Sequence, residues 1–505
     1  MIAACWIALA LAQDAAGVRR DLDLVRVDWI AVAPPAFADA LAPLRAHRAR
    51  TGTAAVVRTD DVEARFGKGP EGIAKFVEAA RPRFLLLAGD VDRVPTFVRK
   101  AAYVSETFAS EADLATDQLF GVPAGRFPAD SPEELRAMAE KTVEYETTLP
   151  PGPWRRRIAF VTGEGGFGAI VDGVIERQFE TLVTDAIPAG YEVETAYAKA
   201  SSNYFYYAPK FGENALRLLN EGPLFYAYVG HGLRDRLDDV RYKDFLYPIL
   251  EAKDAAKVES RGGLPIMVCI ACSTGEFDAR IGDAIGETLF KRRRGPVAFI
   301  GGSRVTQPYG NALLGRHLIR QVFHGKSRTL GEAMAGAREA VLGKDESPLR
   351  LQADAHAAFV QGPGSLEPMR RDVVLHYNLF GDPGLVIRRP DDSLGVEARG
   401  VARPGRPLAV AGWAKDARRV TVTLDCPRNA FCKPTDLAEG DIEKAVARRY
   451  ANANDKTLAR AEFQVFDGAF EGTIELPADA KPGKYVLKVA SDGAMGWREI
   501  ELGTP

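Results

Sequence analysis

Leu224-Phe225-Tyr226-Ala227-Tyr228-Val229-Gly230-His231-Gly232 is an unbroken run of strand formers that stops at a histidine held between glycines. A second run, Pro265-Ile266-Met267-Val268-Cys269-Ile270-Ala271, stops in the same way at Cys272-Ser273-Thr274-Gly275. Apolar runs without polar alternation mark strands buried on both faces, the habit of parallel sheets covered by helices. In such sheets the chemistry sits beyond the C-terminal ends of the strands. The two runs therefore predict an α/β protein that delivers a histidine and a cysteine to one sheet edge. Cys272 follows His231 by 272 − 231 = 41 positions. A Cys–His pair is the minimum apparatus for thiolate acyl transfer.

Further strand and helix signals alternate on both sides of these runs. Asp28–Ala33, Ala54–Arg58 and Arg83–Asp90 read as strands, with helices expected over Ala36–Thr51 and Ile73–Ala80. A second round begins after a helix over Ser131–Thr148 and the breaker Pro150-Pro151-Gly152-Pro153. Its strands are Arg157–Thr162, the histidine run, the cysteine run and Gly295–Gly302, with a helix over Ile175–Ala186. Such alternation argues a parallel sheet flanked by helices, in two α/β subdomains. After Asp391 short alternating segments take over, as in Arg419–Leu424 and Tyr485–Val489, and predict a β-sandwich. A charged helical insert over Asp441–Ala453 interrupts it. The expected boundaries are 20–150 and 151–390 for the α/β subdomains and 391–505 for the sandwich.

At 505 residues the chain exceeds one ordinary domain. A net charge of −2 gives no pull toward nucleic acid. The basic run Lys291-Arg292-Arg293-Arg294 is expected to be a solvated helix end. Ile2–Ala12 is apolar, and Ala10-Leu11-Ala12 before Gln13 resembles a small-residue cleavage site. Residues 1–12 are therefore expected to be an export signal, although a positive n-region is missing. The stretch is too short for a membrane anchor, so the chain is expected to be secreted, periplasmic or on the cell surface. Of the five cysteines, Cys5 falls in the signal. Cys426 and Cys432 flank a turn-like stretch and are expected to form a disulfide in an exported protein. Cys269 and Cys272 form a C-x-x-C, but a redox or zinc site needs a helix start or a second ligand pair.

A set of short motifs then resembles one family in its order along the chain. Leu87-Ala88-Gly89-Asp90 with Pro95, Thr116-Asp117-Gln118-Leu119-Phe120-Gly121 and Gly125-Arg126-Phe127 come first. Glu164-Gly165-Gly166, Tyr228-Val229-Gly230-His231-Gly232, Ala271-Cys272-Ser273-Thr274-Gly275-Glu276-Phe277 and Phe380-Gly381-Asp382-Pro383-Gly384-Leu385 follow. Each is weak alone, but the ordered set resembles the gingipain-type cysteine peptidases of the caspase-like clan. The resemblance implies a caspase-like catalytic α/β unit followed by an immunoglobulin-like domain. It implies Cys272 as nucleophile, His231 as general base and acid, and Glu164 as the acidic partner of the histidine. Protein or peptide substrates follow from it.

The chemistry agrees with the residue types. A thiol with a pKa near 8.5 is mostly protonated at neutral pH, so a neighbouring imidazole is useful to take its proton. A carboxylate beyond the imidazole orients it. Backbone N–H groups of Gly232 and Cys272 are the expected oxyanion donors. No cofactor is required for this chemistry. Family members often bind structural calcium, and the acidic loops permit it, although EF-hand spacing is absent. Specificity stays open. Asp172 or Glu176 would select a basic side chain, whereas Val174, aligned with the family's pocket aspartate, would suit an apolar one. Gln307-Pro308-Tyr309 resembles the family's Q-S-W, which makes Gln307 and Tyr309 candidate substrate contacts. Two other functions remain compatible: a sortase-like transpeptidase using the same pair, and a non-catalytic surface binding protein.

Overall fold

The computed structural model describes residues 27–104, 113–165, 182–437 and 440–504. The first fourteen strands are β1 (Trp29–Ala33), β2 (Ala54–Arg58), β3 (Phe84–Ala88), β4 (Phe97–Lys100), β5 (Asp113–Thr116), β6 (Ala124–Phe127), β7 (Arg157–Thr162), β8 (Glu192–Tyr197), β9 (Phe225–Val229), β10 (Asp239–Tyr242), β11 (Phe245–Pro248), β12 (Ile266–Ile270), β13 (Ala298–Gly302) and β14 (Tyr377–Phe380). Ten of them form one sheet in the order β2-β1-β3-β6-β14-β13-β12-β9-β7-β8. All five residues of β12 are buried, as its unbroken apolar run requires. Alternate residues feed two cores: Tyr226 and Met267 pack on one face, Phe225 and Ile266 on the other.

The sheet is mixed, which corrects the expectation of a parallel one. β14 runs parallel to β6 but antiparallel to β13. The two halves of the sheet therefore point in opposite directions. The C-terminal ends of β7, β9, β12 and β13 share one edge, and that edge also receives the N-terminal end of β14. Asp90, just past β3, falls at the opposite edge. β14 is only four residues long and carries Asn378 in its middle, so no apolar run announced it.

Several of the family-like motifs turn out to be buried polar fasteners. Asp382 accepts from Trp29 Nε1 at 2.9 Å, Arg48 Nε at 2.7 Å and Gly384 N at 2.9 Å. It ties the chain after β14 to β1 and to the helix Ala42–Arg48. Arg126 and Asp117 form a bidentate pair inside the same body. The basic run at 291–294 is a helix end with Arg292 and Arg293 exposed, as expected, and several of its charges are paired. Lys291 donates to Asp130 at 2.7 Å and to Asp283 at 2.9 Å, and Arg293 and Arg294 both pair with Glu144.

Beyond Asp391 lie β15 (Gly395–Arg399), β16 (Pro407–Trp413), β17 (Arg419–Asp425), β18 (Thr457–Gln464), β19 (Ala469–Glu475), β20 (Gly483–Ser491) and β21 (Ala494–Leu502). They form two antiparallel sheets, β15-β16-β19 and β18-β17-β20-β21. Val396, Leu408 and Ile474 of one sheet share a core with Val422, Leu424 and Leu487 of the other. The helix Ile442–Asn454 leans on β8, where Asn454 Oδ1 accepts from Thr195 N at 2.8 Å. Cys426 and Cys432 are joined as a disulfide. Within that loop Arg428 donates to the carbonyls of Ile187, Pro188 and Tyr191, so the loop clamps onto the chain leading into β8.

Candidate active site

Sheet register brings the expected catalytic residues into one row. Along β12 and β9 each residue lies beside the one 41 positions earlier, ending with Ile270 beside Val229 (270 − 229 = 41). Along β9 and β7 the offset is 67, ending with Val229 beside Thr162 (229 − 162 = 67). Two residues further on, the same offsets align Glu164, His231 and Cys272. Pairing continues past the strands, with Gly163 N–H on Val229 O at 2.9 Å and Gly230 N–H on Ile270 O at 3.3 Å. Adjacent strands lie about 4.8 Å apart, so the backbones of neighbours in such a row are close.

The histidine is held from two sides. Its Nε2 is 2.7 Å from the Gly165 carbonyl oxygen. A carbonyl can only accept, so Nε2 carries the proton and Nδ1 is the basic nitrogen of the neutral ring. The Tyr228 hydroxyl donates to His231 O at 2.6 Å and accepts from Asp238 N at 3.1 Å. Burial pushes the Tyr228 hydroxyl well up, so it stays a donor. Asp238 brings a second carboxylate near the histidine. Burial pushes Asp238 up, His231 opposes that shift, and Asp239 and Glu164 add to it. Glu164 itself is exposed, one residue before the carbonyl that holds the ring. Sequence reasoning missed Asp238, which stands seven positions past His231 with no motif around it. It also missed the role of Tyr228, whose place at the head of the motif ending in Gly230-His231-Gly232 was the available signal.

The cysteine sits on a tight turn. Ser273 has φ +48°, a left-handed conformation that is uncommon for a residue with a β-carbon. Such strain gathers at functional turns held by their surroundings. Ser273 N–H donates to Arg304 O at 3.0 Å and Gly275 N–H to Gly302 O at 2.9 Å. Arg304 in turn grips both Asp278 oxygens at 2.6 Å. The cysteine loop is thus fastened to the loop after β13. Cys272 is half-buried, and Thr306 N–H donates to its sulfur at 3.3 Å. Cys269 and Cys272 are both free thiols. Cys269 is fully buried, and desolvation pushes its thiol up, which leaves it a packing residue.

Gly232 joins the two loops. A β-carbon there would lie 2.7 Å from Cys272 O and 2.7 Å from Thr274 Cγ2. Gly232→Ala is therefore expected to push the histidine loop off the cysteine loop. A misplacement of about 1 Å costs roughly a hundredfold in rate. Steady-state kcat/KM should fall by that order, and a variant within twofold of wild type would refute the tight contact.

Other candidate residues are placed differently. Gln307 caps the helix Pro308–Phe323, and its Oε1 accepts from Gln361 Nε2 at 3.4 Å. Tyr309 lies in the first turn of that helix and turns inward. It is 8% exposed, its hydroxyl donates to Asp354 at 2.6 Å, and Arg370 donates to it at 2.9 Å. Pro308 and Asn311 instead line a mainly apolar cavity of about 540 Å³ against β7, β9 and β12. Asp172, Val174 and Glu176 lie outside the described residues, as do the segment 1–12 and most of the helix expected over 175–186. Among the described residues no three His, Cys, Asp or Glu side chains converge to hold a metal ion. No residue set is therefore assigned to calcium.

The sequence profile of Peptidase family C25 matches residues 23–388. No curated protein matches the chain. Among solved structures, the crystal structure of the Arg-specific cysteine proteinase gingipain R aligns with a TM-score of 0.51 at 17% identity, covering 94% of this chain and 98% of that one. A second structure, described as a protease, aligns with a TM-score of 0.53 at 18% identity, covering 96% and 98%. At these identities the structural likeness speaks to the fold. With the profile match over most of its length, the chain belongs to peptidase family C25, the gingipain family of cysteine endopeptidases.

Proposed function

We propose that Cys272 attacks the peptide carbonyl and that His231 carries the proton. In this scheme Nδ1 takes the thiol proton and the sulfur–carbon bond forms. The oxyanion is held by the N–H groups of Gly232 and Cys272. The carbon–nitrogen bond then breaks, and the imidazolium returns its proton to the leaving amine. Water, deprotonated by His231, hydrolyses the thioester and frees the thiol. Glu164 and Asp238 provide negative charge beside the imidazolium. The single observation that carries this scheme is the register row of Glu164, His231 and Cys272 at three adjacent strand ends.

The remaining parts of the proposal concern placement of the enzyme. Residues 20–150 and 151–390 would build the catalytic body, and 391–505 an immunoglobulin-like β-sandwich. The shared core of the two antiparallel sheets supports the latter. Export, to the periplasm, cell surface or medium, is supported by the apolar segment 1–12 and by the Cys426–Cys432 disulfide. Among the described residues no helix is long and apolar enough to cross a membrane.

The test is digestion of a diverse peptide mixture, with and without prior alkylation by iodoacetamide, read by mass spectrometry. New termini that vanish on alkylation are expected. The residue before each cut decides between a basic preference set by Asp172 or Glu176 and an apolar one set by Val174. Added glycinamide separates fates of the acyl-enzyme: ligated product would assign it to transpeptidation. A folded protein that yields neither new termini nor ligated product would overturn the proposal.

A further inference from the structure

A chain of hydrogen bonds ends on the sulfur of Cys272. Tyr377 is the first residue of β14 and is fully buried. Because β14 opposes β13, Tyr377 pairs with Gly302 and stands at the edge that carries Cys272. Its hydroxyl donates to Asn311 Oδ1 at 2.9 Å. Asn311 Nδ2 donates to Thr306 Oγ1 at 2.8 Å. Thr306 N–H donates to Cys272 Sγ at 3.3 Å, and Thr306 Oγ1 lies 3.7 Å from the same sulfur. Thr306 is 5% exposed, so water competes little for these groups.

The first two bonds of the chain have a set direction. Burial pushes the Tyr377 hydroxyl up, so it keeps its proton and donates. That occupies the oxygen of Asn311 and turns its N–H₂ toward Thr306. With Oγ1 accepting from Asn311, the threonine's own hydrogen is free to point to the sulfur 3.7 Å away. Two donors of one residue thus converge on Sγ, the N–H and the O–H. A neutral thiol accepts weakly, whereas a charged acceptor makes the stronger bond. The thiol's own acceptor is Thr306 O at 3.7 Å, a long contact for a weak donor. Deprotonation therefore gives up one weak contact and strengthens both the N–H bond at 3.3 Å and the hydroxyl contact at 3.7 Å.

We propose that Tyr377, Asn311 and Thr306 form a directed donor chain that stabilises the Cys272 thiolate, with Thr306 as a catalytic donor and Asn311 and Tyr377 as positioning residues. This rests on the reading of Cys272 as nucleophile. The other ionisable groups on elements packed around the sulfur are His231 past β9, Glu276 in its own loop, and Arg304, which is bound to Asp278. The donor chain adds to the histidine, because it stabilises the charge on sulfur after the proton has left.

The test is the rate of alkylation of Cys272 by iodoacetamide, read peptide by peptide by mass spectrometry. Thr306→Val keeps the shape and the N–H but removes the O–H. At pH 6 it is expected to slow alkylation by about tenfold or more, the worth of one hydrogen bond to a charged group. Thr306→Ser restores the hydroxyl and should keep the wild-type rate. Tyr377→Phe should slow it about twofold, since it acts through two further bonds. At pH 10 the thiol ionises without help, and the rates of all variants should converge. Equal rates for wild type and Thr306→Val at pH 6 would overturn the chain. So would equal losses in the Val and Ser variants, which would mark a packing effect. His231→Ala is the separate control: if it leaves the pH 6 rate unchanged, the Cys–His reading itself falls, whatever Thr306 does.

Discussion

Cys272→Ala is expected to lower kcat on a cleaved peptide by on the order of 10⁵- to 10⁶-fold, the loss seen when a covalent nucleophile is removed. No neighbouring group can take its place. Cys269 lies in β12 just before the cysteine turn but is fully buried with its thiol pushed up by desolvation, so it neither reaches a substrate nor ionises readily. Cys426 and Cys432 are tied up with each other. The loss should come without loss of structure, because Cys272 is half-buried and its turn is fastened by backbone bonds to 302 and 304. His231→Ala should lose nearly as much, and the double variant little more, since groups that act as a unit are not additive. Kinetics on one peptide, with circular dichroism as the folding control, decide the matter. Cleavage by Cys272→Ala at a tenth of the wild-type rate would remove that residue from the mechanism.

Much of this site was legible in the sequence because strand ends are local features. The runs 224–229 and 265–271 end at β9 and β12, and the residues after them form the candidate catalytic edge. The spacing of 41 between His231 and Cys272 reappears as the β9/β12 register. Glu164 follows from the matching register of β7 and β9, an alignment that no pattern within one strand could reveal. What stayed hidden depends on how distant segments meet. The direction of β14 is set by the helices that connect it to β13, not by its own four residues. Tyr377, Asn311 and Thr306 lie up to 71 positions apart (377 − 306 = 71) and meet only because that direction brings the start of β14 beside the loop after β13. Tyr309 shows the converse. A motif-like aromatic in a loop context became the first turn of a helix, where helical geometry turned its ring into the core.

Arg126→Met is expected to destabilise the protein by about 3–5 kcal/mol, the cost of leaving a buried charge without its partner. Arg126 is 0% exposed and Asp117 is 1% exposed. The guanidinium donates to both Asp117 oxygens, at 2.7 and 2.8 Å, and to the carbonyls of Gly89 and Val94, both at 2.8 Å. Asp117 also accepts from Thr96 Oγ1 at 2.7 Å, and its N–H donates to Asn378 Oδ1 at 2.9 Å. The pair thus locks β3, β6 and the end of β5 to β14, at the place where the sheet changes direction. The guanidinium also lies 5.3 Å from the ring of Phe277, a residue of the cysteine loop. Loss of Arg126 should therefore lower activity as well as the urea midpoint, even though no part of it belongs to the catalytic row. The double replacement Arg126→Met with Asp117→Leu should recover part of the loss, because it removes the orphaned carboxylate along with its partner. A single Arg126→Met variant within 1 kcal/mol of wild type in urea unfolding would mean that water reaches Asp117 and that the pair is not the fastener its burial implies.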